Sequence, residues 1–160
     1  MSLAFDLISD LHVDTWDSFD WTGQPTAPYC VVAGDVGKDW AQVRETLEHL
    51  GEQYAGVFYI DGNEEHKDYY HNLTSSYRDL GKDLESIPNL IYLQDNCVII
   101  NGVALIGTNA WWTYDFDPKL DVNSCVQSIQ DHFGISNSEA VNISGVAFND
   151  ASYLIRSVKK

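Results

Sequence analysis

Three apolar runs in this chain end in the same kind of residue at nearly the same interval, and that pattern limits the folds open to it. Residues 5–9 lead into Asp10-Leu11-His12, residues 29–33 into Gly34-Asp35, and residues 57–60 into Asp61-Gly62-Asn63. Asp10 and Asp35 lie 25 residues apart, and Asp35 and Asn63 lie 28 apart. That interval accommodates one strand plus a crossover helix, the βαβ unit that brings the next strand back parallel to the last. In an open α/β sheet the carboxyl ends of adjacent parallel strands line a shared crevice. Asp10, His12, Asp35 and Asn63 are therefore expected to converge, although they are spread over 54 positions. Such a set suits a divalent metal.

The rest of the chain is consistent with this layout. Residues 4–9, 29–33 and 57–60 read as three strands. Between the second and third, Trp40, Val43, Leu47 and Leu50 recur at spacings of three and four, which predicts an amphipathic helix over 39–54. Tyr69, Leu73, Tyr77, Leu80 and Leu84 predict another over 68–84. Asn101-Gly102 separates two β-branched runs, 97–100 and 103–106, a strong hairpin signal. The hairpin is expected to give the parallel strands, including one over 90–93, antiparallel neighbours. Residues 122–133 and 148–158 read as helices joined by a polar stretch, 134–145. Trp16, Phe19 and Trp21 either pack on the body of the protein or wall a substrate pocket, and Trp111-Trp112 offers the same choice. His49 and His71 sit on predicted helices as surface or packing residues.

Composition narrows the function. With 160 residues, 44% of them hydrophobic, a single domain spanning 1–160 with a real core is expected. No apolar stretch reaches the roughly 18–20 residues of a membrane span. The N-terminus has no basic region followed by an apolar segment, so no secretory signal is read there. Cys30, Cys97 and Cys125 form no Cys-x-x-Cys pair, which points to neither a zinc knuckle nor a disulfide framework. These features place the chain in the cytoplasm. Nine basic against 24 acidic side chains, a net charge of −15, exclude long nucleic acid as a partner, since binding it requires clustered Lys and Arg. A small phosphorylated substrate remains compatible, provided metal ions cancel the local negative potential.

The candidate ligands also carry a chemistry. Asp10 and His12 leave the same face of an extended segment. Asp35 offers two oxygens and can bridge two cations, and Asn63 offers a neutral carbonyl oxygen. Mixed oxygen and nitrogen donors favour Mn, Fe, Zn or similar ions over soft thiolate sites. Two such ions would acidify a shared water, giving a metal-activated hydroxide, and clamp the oxygens of a phosphoryl group.

Ser9-Asp10-Leu11-His12, Gly34-Asp35 and Asp61-Gly62-Asn63 resemble the first three sequence blocks of the calcineurin-like metallophosphoesterases. Residues 105–111 resemble the strand that follows the third block. The resemblance implies an α/β fold: the N-terminal half of a four-layer αββα sandwich, mostly parallel sheet with an added β-hairpin. It implies two divalent metal ions, with Asp10 and His12 on the first, Asp35 bridging and Asn63 on the second. It also implies hydrolysis of a phosphate mono- or diester.

Two departures qualify the resemblance. Where the family places a histidine after the asparagine, this chain has Glu64, followed by Glu65 and His66. Glutamate ordinarily ionises near pH ~4.3 and is then no proton donor. Glu64 and His66 are the candidates for the catalytic position, His66 either reaching into it or remaining a solvated loop residue. The family's last two blocks, which supply three histidines, are absent. His132 lies in a helical stretch without a preceding strand or glycine and is not read as a ligand. The domain is therefore read as incomplete, and an apolar sheet face left bare is expected to promote self-association. The alternative is an inactive metal- or phosphate-binding module derived from the same fold.

Overall fold

The computed structural model describes residues 2–17, 23–66, 80–109, 111, 119, 121–133 and 137–158. Phe19, Trp21, His71, Trp112 and most of the helix predicted over 68–84 lie outside the described residues, as does the side chain of His132.

Four strands, β1 (Phe5–Ile8), β2 (Tyr29–Ala33), β3 (Gly56–Ile60) and β4 (Leu90–Tyr92), form one sheet in the order β1-β2-β3-β4. Every pairing in it is parallel. Sequence order equals spatial order, so the ends of β1, β2 and β3 lie side by side as the interval between their motifs requires. Helix α1 (Trp40–Gln53) starts at Asp39, whose carboxylate accepts the Gln42 N–H at 3.1 Å. It buries Val43, Thr46, Leu47 and Leu50. Their targets include Cys30, Val32, Val57 and Tyr59 on one face of the sheet, and this is the main core. Burial pushes the Cys30 thiol up to about 12, as expected of a cysteine acting as a small core residue.

The other sheet face is covered unevenly. Leu7, Val31, Phe58 and Ile91 share one row across the sheet. Phe58 is 1% exposed, whereas Leu7 on the edge strand is 66% exposed.

Strands β5 (Asn96–Ile100) and β6 (Val103–Gly107) form an antiparallel hairpin. Asn101 and Gly102 both have positive φ, 51° and 79°, the backbone of a tight turn matched to strand twist. The hairpin constitutes a separate two-stranded sheet rather than extending the parallel one. Helices α2 (Val122–Phe133) and α3 (Asn137–Val158) follow. The stretch over 134–145, expected to be a polar connection, is largely the first half of α3. Ala140, Ile143 and Ala147 recur at helical spacing and pack on Val126 and Trp111. The intervening Asn142, Ser144 and Gly145 obscure that spacing in the sequence. No helix among the described residues is long and apolar enough to cross a membrane.

Candidate metal centre

The parallel pairing continues beyond the strand ends into the loops that carry the motifs. Asp10 N–H donates to Gly34 O at 3.1 Å, His12 N–H to Asp35 O at 3.1 Å, and Val13 N–H to Val36 O at 2.8 Å. These bonds lock the loop after β1 onto the loop after β2. Asp10, His12 and Asp35 all adopt left-handed backbone, with φ of 55°, 46° and 53°. Outside glycine that conformation is uncommon, and clusters of it mark sites where the surrounding structure enforces a geometry. Here it occurs at all three of the residues whose side chains meet. One ligand atom from each of Asp10, His12 and Asp35 lies within 4.8 Å of the others. A carboxylate–imidazole–carboxylate set at that separation fits a divalent cation of the borderline class.

The third motif meets the second through glycine. Gly34 has φ of 79°, and a Cβ added to it would lie 2.8 Å from the Gly62 Cα. A Cβ on Gly62 would lie 2.0 Å from Asp35 Oδ1. The two glycines thus let the β3 loop approach Asp35 at backbone distance. Glu64 N–H donates to Asp35 Oδ1 at 3.1 Å, and the Asn63 amide donates to Glu64 Oε1 at 3.2 Å. Asn63 lies with Asp35 along one pocket of about 320 Å³, whose lining also includes Asp61, Thr108, Asn109 and Trp111. Glu64 stands beside Asn63, half-buried.

Two buried carboxylates, neither of them singled out from sequence, support this arrangement. Glu65 accepts N–H bonds from Val36 at 2.7 Å, Asp35 at 3.2 Å and Gly62 at 2.7 Å. One side chain thereby ties the second and third motifs together. Burial pushes its carboxyl up to about 7, against the opposing effect of the Gly62 and Val36 N–H groups. Asp61 accepts from His66 Nε2, from the Tyr92 hydroxyl and from Asn109 Nδ2, the last at 2.9 Å. Asn109 also donates to the Asp61 carbonyl at 2.7 Å. A sequence signal for both existed: acids flank the Gly62-Asn63 pair, and Thr108-Asn109 follows β6 directly.

His66 is fully buried, so it is not a solvated loop residue. Its imidazole engages Asp61, and its ring lies 5.7 Å from that of Trp111. It does not line the pocket, whereas Trp111 does. Trp16 packs on the main core and donates its indole N–H to Leu11 O at 3.0 Å, bracing the first loop. His49 contacts Gln53 on α1, away from the site.

No protein-family model matches the chain, and no curated protein matches it by sequence. Among solved structures, it is similar to phosphopantetheinyl hydrolase from Mycobacterium tuberculosis, with a TM-score of 0.72 at 17% identity. The match covers 95% of this chain and 62% of that one, so the chain spans under two thirds of the protein it resembles. At that identity the likeness establishes a shared α/β fold, the architecture in which Asp10, His12 and Asp35 come together.

Proposed function

We propose that this chain carries the metal-holding part of a calcineurin-like metallophosphoesterase that hydrolyses a phosphate mono- or diester. The observation that carries this reading is the convergence of Asp10, His12 and Asp35 within 4.8 Å from the ends of two parallel strands. The fold shared with a hydrolase supports it. By the resemblance, Asp10 and His12 would hold a first divalent ion, Asp35 would be shared with a second, and Asn63 would offer the second its carbonyl oxygen; Mn, Fe and Zn all suit these donors. Bound there, such ions acidify water and neutralise phosphoryl oxygens.

The protein's own residues do the positioning. Glu65 holds the two loops at a fixed separation. Asp61, through His66, Asn109 and Tyr92, holds the end of β3 from which Asn63 projects. Glu64, in the slot of the family's catalytic histidine, stands at the reacting face, and His66 acts from behind it as a positioning residue.

A second reading, a binding module without turnover, draws on one observation. The histidine nearest the slot that Glu64 fills, His66, has its Nε2 engaged by Asp61.

Mn²⁺ titration calorimetry with hydrolysis of bis-p-nitrophenyl phosphate decides between them. Binding with turnover is the expected result; binding without turnover establishes the module. Asp35→Asn keeps an oxygen for the Glu64 N–H but removes the bridging charge, and Mn²⁺ affinity should fall at least ten-fold. Unchanged affinity in that variant would overturn the metal assignment.

A further inference from the structure

A second group of carboxylates, sharing no residue with the candidate metal centre, lies where three elements meet. Asp95 comes from the connection between β4 and β5, Thr108 directly follows β6, and Asp150 lies on α3. Thr108 donates its hydroxyl hydrogen to Asp95 Oδ1 at 3.0 Å, and the Asp150 carboxyl draws on the same hydroxyl. A hydroxyl carries one hydrogen, so it serves one of the two carboxylates at a time.

Asp150 is the constrained member of the pair. It is 4% exposed, and Gln94 Nε2 donates to its Oδ1 at 3.3 Å. Gln94 Oε1 accepts the Asn109 N–H at 2.8 Å, which fixes the end of the amide that faces Asp150. The other oxygen, Asp150 Oδ2, is buried with no hydrogen-bond partner among the described residues. A buried carboxylate oxygen in that state costs free energy unless a positive or donating group meets it.

The surroundings favour a cation in that role. The charges of Asp95 and Asp61 both bear on Asp150, and the net charge of −15 concentrates cations around the whole chain. A proton neutralises one carboxylate, whereas a divalent ion between Asp95 and Asp150 serves both. The donors at hand are two carboxylates and a hydroxyl, all hard oxygens of the kind that select Ca²⁺ or Mg²⁺. An ion that reaches the buried Asp150 Oδ2 must shed water on that side, which Mg²⁺ does reluctantly. Access comes from two sides: Gln94 and Asp95 line a cavity of about 670 Å³, and Thr108 lines the pocket beside Asn63.

We propose that Asp95, Thr108 and Asp150 form a calcium site that fastens α3 to the segments after β4 and β6. Asp150 Oδ2 and Asp95 supply the charge, Thr108 Oγ1 adds a neutral oxygen, and water completes the coordination on the exposed side at Asp95. Gln94 acts behind the ligands by holding Asp150 Oδ1. Two charged ligands and an open flank place Kd at about 10⁻⁴–10⁻³ M.

The test is Ca²⁺ calorimetry on the full chain, repeated with Asp150→Asn, Asp95→Asn and Asp35→Asn and then with Mg²⁺. Asp150→Asn and Asp95→Asn should each weaken Ca²⁺ binding at least ten-fold, and Asp35→Asn should retain the site. Mg²⁺ should bind at least ten-fold more weakly than Ca²⁺. In urea unfolding, about 10 mM Ca²⁺ should raise the midpoint of the parent but not of the Asp150 and Asp95 variants. Asp95 is exposed, so its variant keeps the fold and reads the ligand directly.

Ca²⁺ binding that survives both of those variants, or that Asp35→Asn alone removes, places the ion elsewhere and overturns the proposal. Failure to bind at about 10 mM overturns it too, and leaves the two carboxylates to share a proton. Equal affinity for Mg²⁺ overturns the choice of calcium.

Discussion

Gly62 is the residue on which the geometry of the site depends most directly. Its hydrogen occupies the space where a Cβ would meet Asp35 Oδ1 at 2.0 Å and the Asp35 amide nitrogen at 2.5 Å. The contact is with a proposed metal ligand and with backbone, so neither can yield cheaply. Gly62→Ala should displace Asp35, weaken Mn²⁺ affinity at least ten-fold, and cost about 1–3 kcal/mol of stability. Gly145→Ala on α3 is the contrast. There, among the described residues, the added methyl meets the far end of the exposed Asn142 side chain, and helical alanine should gain about 0.4–1 kcal/mol. Urea unfolding of both variants, with calorimetry on the first, checks the pair. A Gly62→Ala protein with native metal affinity would mean that Asp35 is not held by this contact. The motif Gly34-Asp35 is readable from sequence because a glycine and an acid are adjacent; the contact from Gly62 to Asp35 is not, because the two residues are 27 positions apart and meet only through strand register.

At the scale of elements, the three parallel strands, α1 and the Asn101-Gly102 hairpin were legible, since each follows from local periodicity or turn chemistry. The placement of the hairpin outside the parallel sheet and the early start of α3 were not. The start of α3 depends on contacts among Trp111, Val126, Ala140 and Ile143, which no local pattern records. Nor did sequence show that His66 faces Asp61 rather than solvent, because that pairing is set by the buried end of β3. Asp150 illustrates the same limit. It lies on α3 and is 4% exposed, with Gln94 Nε2 donating to it at 3.3 Å. Gln94 in turn accepts the Asn109 N–H at 2.8 Å, so α3 is coupled to the residue that braces Asp61. Burial pushes the Asp150 carboxyl up from 3.8 to about 6, helped by the charge of Asp95 and opposed by bonds from Thr108 and Gln94. The folded state thus keeps a proton that the unfolded chain gives up. The associated stability is fully present below pH 3.8 and is lost as pH rises toward about 6. Asp150→Asn keeps the packing without the charge, and above pH ~6 it should be more stable than the parent by about 1–3 kcal/mol. Thermal melts at pH 4 and 7.5 test this. A difference between the two proteins that does not change with pH would refute it.

For the whole molecule, two opposing terms act at the β1 edge. The row Leu7–Val31–Phe58–Ile91 is buried at β3 but open at β1, where Phe5 is 43% and Leu7 66% exposed. Apolar area of this kind, on an unpaired edge strand, favours association with a second copy. The net charge of −15 on each copy opposes it. That repulsion is screened as salt shortens the Debye length to about 10 Å at 0.1 M, whereas burial of Leu7 and Phe5 is not. Self-association should therefore strengthen from low salt to about 0.3 M, the reverse of an interface held by ion pairs. Leu7→Ser should weaken it at every ionic strength, without loss of the fold, because the side chain contributes little to the main core. Sedimentation equilibrium of the parent and the variant across a salt series reads both effects. A parent that stays monomeric at high protein concentration and high salt would show that the row is tolerated bare. Association that weakens with added salt would instead assign the contact to charged groups elsewhere on the surface.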